Sequence, residues 1–246
     1  MDQSLTLRLE AFTKLSPDDR AAVNRLAAGK IQEVAPRRDL VREGEPPRFV
    51  HLVLQGWGCR YKTLDDGRRQ IVSLFVPGDF CDLNVYILKK MDHSIGAISR
   101  MRVAQISRED MDALTEQHPR VTQALLWQEL VDVAVQREWT LNVGQRSSYE
   151  RIGHLFVEMF FRLRAIGMTS GNSFDFPLIQ TDIAEATGLT PVHVNRTLQA
   201  LRSDGLLELQ ARRVTLPDLD RLMGVSLFNP DYLHLGHEGR HLDANA

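Results

Sequence analysis

Between Pro119 and Gly144 the chain has neither glycine nor proline, and its apolar residues do not keep to one side. Val121, Leu125, Leu126, Trp127, Leu130, Val131, Val133, Val135, Trp139 and Leu141 spread over more than one face of a helix drawn through them. A helix packed on a single domain shows one apolar stripe. A helix apolar on two sides needs two partners. The segment therefore predicts a helix of roughly 25 residues with one face on its own domain and the other on a second copy of itself. The competing reading is a fully buried core helix, and the length favours dimerisation.

The segments on either side have different periods. Residues 5–30 read as helical, with Ser16-Pro17 as an N-cap and first-turn pair followed by Val23, Leu26 and Ala27 at helical spacing. From Ile31 to Ile106 the period shortens to strand-like runs: FVHLVLQG, WGCRYKTL, RQIVSLFV, SIGAIS and RVAQIS. Glu43-Gly44-Glu45, Asp65-Asp66-Gly67 and Pro77-Gly78-Asp79 separate them as turns, and the Asp-Asp-Gly is the strongest hairpin signal in the chain. Short strands at this spacing imply a small antiparallel barrel or sandwich. SREDMDAL then reads as a short helix capped by Ser107, with Asp110 at its third position. After the long helix come an amphipathic helix closed by Gly167, a short strand, two helices separated by Gly188, and a hairpin.

Composition narrows the function classes. Of 246 residues, 43% are hydrophobic and 25% charged, which is globular. No stretch approaches the ~18 apolar residues of a membrane span. The start, MDQSLTLRLEAF, lacks the apolar core of an export signal, so the cytoplasm is the expected compartment. Cys59 and Cys81 are the only cysteines, too few for a metal cluster and without CxxC spacing. The net charge is −2, so any affinity for nucleic acid must come from a local patch.

That patch lies between Gln180 and Arg213. Ile183, Ala184 and Leu189 supply apolar anchors, Gly188 permits a tight turn, and Thr190-Pro191 starts the second helix sharply. Val194, Leu198 and Leu201 share one side of that helix; Val192, Asn195, Arg196 and Gln199 share the other. The outer set suits major-groove readout, with arginine for guanine, amides for adenine and valine for a thymine methyl. The bland alternative is an ordinary solvated face. Residues 188–214 nevertheless carry a local excess of two positive charges, with Arg212 and Arg213 in the hairpin placed to meet phosphates.

LVLQGWGCRYKTLDDGRRQIVSLFVPGDF and FPLIQTDIAEATGLTPVHVNRTLQALRSDGLLEL resemble the sensor strands and the helix-turn-helix of the Crp/Fnr family of bacterial transcription regulators. The resemblance spans nearly the whole chain and is of the catabolite-activator-like kind. It implies an α+β chain with a cyclic-nucleotide-binding-like β-roll (a jelly roll) with flanking helices over residues 1–118. A dimerisation helix and hinge would follow over 119–146, a winged helix-turn-helix over 147–229 and a tail over 230–246. The implied function is a signal-responsive homodimer on double-stranded DNA with two half-sites, with RNA polymerase as partner and no membrane. Thr190 would hold a phosphate and Arg196 would read a base, within a contact set of Thr190, Pro191, Val192, His193, Asn195, Arg196, Gln199, Arg212 and Arg213. Where the catabolite activator has Arg-Glu and the oxygen-sensing branch a glutamate, this chain has Pro191-Val192, so it reads neither of their sequences.

The ligand pocket departs further. Cyclic-nucleotide members use a Gly-Glu-Leu turn and an Arg-Ser/Thr-Ala segment. The counterparts here are Cys81-Asp82-Leu83-Asn84 and His93-Ser94-Ile95, making Asp82, Leu83, Asn84, His93 and Ser94 the ligand candidates. Replacing the phosphate-binding arginine by His93 argues against cyclic AMP. The two cysteines argue against the four-cysteine iron–sulfur cluster of the oxygen-sensing branch. His93 as a haem axial ligand, His93 as a pH-responsive group, Cys81 as a redox switch and an unliganded scaffold stay open beside a plain loop histidine. His234, His237 and His241 read as part of a loose tail rather than a metal site. Three rival functions remain: a haem-based gas sensor, a ligand-binding sensor acting through protein partners only, and an enzyme using Asp79, Asp82 and His93. No nucleophile–base spacing or phosphate loop supports the enzyme.

Overall fold

The computed structural model describes residues 3–83 and 85–236. The chain divides into two compact units, the first drawn chiefly from residues up to Lys62 and from Ser73–Asp132, the second from Thr63–Val72 and Val133–Leu233. In the first unit α1 (Ser4–Glu10) and α2 (Pro17–Ala27) precede β1 (Lys30–Val34), β2 (Asp39–Val41), β3 (Val50–Gln55) and β4 (Gly58–Thr63). β5 (Arg69–Phe75), whose residues up to Val72 group with the second unit, β6 (Ser94–Ala97), β7 (Met101–Ile106) and α3 (Arg108–Gln117) follow. The strands form two antiparallel sheets, ordered β1-β7-β3 and β2-β6-β4-β5.

Alternation sorts the side chains of β3 and β7 between two cores. Val50, Leu52, Leu54, Ala104 and Ile106 pack with Leu5, Val23, Met111, Val121 and Leu125 of the helices. Val53, Met101 and Val103 point the other way, into the roll, against Phe75, Cys81 and Ile95. Each fully buried aliphatic side chain contributes roughly 1.5–3 kcal/mol relative to exposure. The Pro77-Gly78-Asp79 turn closes the roll. Gly78 has φ +86°, and a Cβ there would lie 2.9 Å from the backbone of Ser4.

The helical stretch expected over 5–30 is broken, because Ser16 starts a helix of its own. Its hydroxyl accepts from the Asp19 N–H (3.1 Å) while the Asp19 carboxylate accepts from the Ser16 N–H (3.0 Å). β1 and β2 were not among the strand-like runs. β1 carries mostly exposed residues and only Val34 is buried, so no period-2 signal marks it.

α4 (Pro119–Gln145) runs through Gly144 and supplies residues to both units. One side is buried through Val121, Leu125, Val131, Val135 and Trp139; the other leaves Leu126, Leu130, Val133 and Leu141 exposed, Leu130 by 65%. In the second unit α5 (Ser148–Ala165), β8 (Ser173–Asp175), α6 (Gln180–Thr187) and α7 (Pro191–Ser203) come first. β9 (Glu208–Gln210), β10 (Arg213–Thr215) and α8 (Leu219–Val225) complete it, with a sheet ordered β8-β10-β9. α5 is buried continuously from Ile152 to Phe161 rather than along one stripe, because α6, α7, α8 and β8 all pack on it. The tail expected to be loose begins with a 3-10 turn, Pro230–Leu233, whose Leu233 is buried. His237 and His241 lie outside the described residues.

Candidate nucleic-acid interface and sensor cluster

α6 and α7 meet at Gly188, whose φ of +66° ends α6 in the left-handed region that glycine adopts without penalty. Leu189 N–H then returns to Ala184 O at 3.1 Å. Thr190 caps α7, its hydroxyl accepting from the His193 N–H at 3.3 Å, and Pro191 fills the first turn. The remaining free N–H groups and the helix dipole make this end favourable for an anion. Val194, Thr197, Leu198 and Leu201 are buried, which fixes the rotation of α7. Val192, His193, Asn195, Arg196 and Gln199 are left exposed, Val192 by 79%. At i, i+3, i+4 and i+7, residues 192, 195, 196 and 199 form one continuous strip.

The β9–β10 hairpin turns at Ala211 and Arg212, both with positive φ (49° and 63°). Arg212 is exposed at the tip. Arg213 begins β10 and pairs with Asp175 at 3.1 Å, so part of its charge is met within the sheet. Sequence reasoning missed Arg151, which donates to Thr187 O and Arg146 O, each at 2.8 Å, and so ties the end of α6 to the start of α5.

Beside it lies a buried polar network. Glu158 is fully buried and accepts from Trp139 Nε1 (3.0 Å to each oxygen) and from the Tyr232 hydroxyl (2.8 Å). Burial and then the Glu158 charge push the Tyr232 phenol up. His154 Nε2 stands 3.3 Å from Glu138, and Arg146 donates to Glu138 (2.6 Å) and to Leu227 O (3.0 Å). These partners hold the Glu138 carboxyl down at about 2 despite partial burial, the His154 hydrogen bond contributing most.

In the first unit Asp82 and His93 come together, and Arg60 joins them. Arg60 Nη2 donates to Asp82 Oδ1 (2.8 Å) and to Cys81 O (2.5 Å), with its guanidinium over the Phe75 ring at 5.2 Å. His93 Nε2 stands 3.1 Å from Asp82 Oδ2 and Nδ1 2.8 Å from Asp92. Burial opposes the charged ring, but bonding to both carboxylates outweighs it and raises the His93 pKa. Ser94 accepts from the Glu43 N–H at 3.0 Å, and Leu83 is buried in the helix-side core rather than beside Asp82. Asn84 lies outside the described residues. This cluster does not fit a cyclic phosphate: both oxygens of Asp82 are already bonded, one by Arg60 and one by His93, and an anion would have to displace a carboxylate from them.

Asp79 pairs with Arg8 at 2.9 Å and accepts from the Val76 N–H at 2.7 Å, so it holds the turn. Cys59 and Cys81 form no disulfide and are both buried, and burial followed by the Asp82 charge pushes the Cys81 thiol well up, away from the reactive thiolate.

Comparison with known proteins divides the chain in the same order. The cyclic nucleotide-binding domain family matches residues 31–118 and the Crp-like helix-turn-helix domain family residues 150–225. The transcriptional activator protein FnrL of Cereibacter sphaeroides is 29% identical over 188 residues, 75% of each chain. The nitrogen fixation regulation protein FixK of Bradyrhizobium diazoefficiens is 29% identical over 170 residues, 69% of this chain and 70% of its own. Among solved structures, FixK2 from Bradyrhizobium japonicum superposes with a TM-score of 0.71 at 25% identity, covering 80% of this chain and 96% of that one.

Proposed function

Because this chain belongs to the Crp/Fnr family of transcription regulators, we propose that it works as a homodimer whose two α7 helices enter the major groove at two half-sites of double-stranded DNA. The observation that carries this reading is the outward strip of α7, polar and cationic apart from Val192 and left uncovered by the described residues. Thr190 and Pro191 bring the N-terminus of α7 to a phosphate, and Val192, His193, Asn195, Arg196 and Gln199 lie over base edges. Arg212 and Arg213 meet phosphates beside the groove, Arg212 with its full charge. The exposed apolar side of α4 supports the dimer. Regulation by a signal enters through the β-roll and shifts the balance between arrangements of the DNA-binding units. RNA polymerase is the partner on DNA and the cytoplasm the compartment. No helix among the described residues is long and apolar enough to cross a membrane. Asp79, Asp82 and His93 serve structure and sensing rather than catalysis.

A gel-shift titration on the DNA upstream of the chain's own operon tests the reading. Arg196→Ala is expected to cost about 1–3 kcal/mol and to relax preference at one base position, while Arg212→Ala weakens all sequences alike and flattens the salt dependence by about one ion per contact. Equal binding by wild type and Arg196→Ala, with equal base preference, overturns it.

A further inference from the structure

The two sheets of the β-roll leave a cavity of about 480 Å³ at the end where β1, β2, β3 and β7 meet the 45–49 loop. That volume lies in the range of small-molecule sites. No residue of α4 lines it, and of the Arg60–Asp82–His93 cluster only Asp82 reaches its wall. The wall mixes apolar surface from Phe49, Met91 and Ile95 with three uncharged polar side chains, His51, Gln32 and Gln105.

Those polar groups have unused capacity. Gln105 Nε2 donates to Gln32 Oε1 at 2.5 Å, which leaves the Gln105 carbonyl and the Gln32 amide hydrogens without a side-chain partner among the described residues. His51 is buried and makes no side-chain hydrogen bond to a described residue. Burial holds its pKa down at about 4, although the Asp82 charge pulls the other way. Its ring is therefore neutral, with one donor and one acceptor. Half-buried donors and acceptors with spare capacity, beside the buried His51 ring, give a complementary ligand groups to bond.

Charge decides the class of ligand. Arg60 and the His93 ring are both bonded to Asp82, and the one arginine of the lining, Arg48, sits exposed at the rim with Glu45. A phosphate or carboxylate pushed in toward His51 would face the Asp82 carboxylate, with Arg48 left at the exposed mouth. We propose that this cavity is a binding site for an uncharged planar heterocycle whose donor–acceptor edge is read by His51, Gln32 and Gln105 while its body packs on Phe49 and Met91. The site deepens the reading of the β-roll as the sensor and rests on it only for its effect on DNA.

Ligand-detected NMR titrations of the full chain test the site with 2-quinolone as the neutral probe and quinoline-2-carboxylate and cyclic AMP as anionic ones. 2-Quinolone is expected to bind, and the anions at least tenfold more weakly or not at all. His51→Phe keeps the volume but removes the polar edge, and should weaken 2-quinolone by about tenfold, the worth of one neutral hydrogen bond. Met91→Trp fills the cavity and should abolish binding; Leu40→Trp, at a half-buried wall position, does the same should Met91→Trp fail to fold. Absence of 2-quinolone binding, equal binding of the anions, or equal binding by the filled variants each overturns the proposal. A gel shift with and without bound 2-quinolone separates the two claims. An unchanged shift leaves the site and removes its effect on DNA, whereas failure of the wild-type chain to shift DNA with or without 2-quinolone strikes the regulator reading alone.

Discussion

His51 and His93 lie in the same unit, and their surroundings drive them in opposite directions. His93 gains two carboxylate partners; His51 gains burial and no ion pair. A histidine whose folded pKa falls from 6.5 to about 4 takes up its proton more readily when unfolded. The stability it allows is complete above pH 6.5 and is lost as pH falls from 6.5 toward 4. By pH 4 the loss is about 3 kcal/mol. Urea unfolding of wild type and His51→Phe between pH 7 and pH 4.5 checks this: the variant should lose clearly less stability on acidification, and parallel curves would sink the assignment. Neither environment is readable from the chain. HLVL reads as an apolar strand, and Arg60, Asp82 and His93 are separated by 22 and 11 positions, so only the folded roll brings them together. By contrast Ser16, Ser107, Gly188 and Thr190 act on N–H groups within a few residues, and such local chemistry is legible.

At the level of elements, α4 shows how far a hydrophobic pattern can be followed. Apolar residues on two sides indicated two partners, and a single chain covers just one side. Leu126, Leu130 and Val133 recur at four and three residues along the open side, a seam interrupted at Arg137 before Leu141. Leu130→Arg places a charge at the centre of that seam without touching the core of its own chain. Analytical ultracentrifugation should show at least a tenfold weaker dimer for this variant, with unchanged circular dichroism. A variant that sediments as wild type does would place the dimer contact elsewhere. α5 was the harder case. Its sequence suggests one apolar stripe, yet β8, α6, α7 and α8 all pack on it, and periodicity reports one face at a time.

Across the whole molecule, two compact units draw on one helix, and their border falls inside it at Asp132 and Val133, where no change of period marks it. Period and capping do not show what secures the far end of the chain. The matched helix-turn-helix region ends at residue 225, while Phe228, Tyr232 and Leu233 still pack on the second unit. Tyr232→Phe removes one donor from a carboxylate with no access to water, and should lower unfolding stability by about 1–3 kcal/mol in urea titrations. A midpoint equal to that of wild type would show the hydroxyl to be idle.

The same hydroxyl also bears on where this half of the protein can be cut. A fragment trimmed at residue 225 would keep the buried carboxyl of Glu158 with its Trp139 and Arg162 partners and discard the Tyr232 hydroxyl that completes its set of donors. A fragment that keeps this donor and the buried Leu233 therefore runs at least to Leu233, several residues beyond the border that likeness to relatives would suggest.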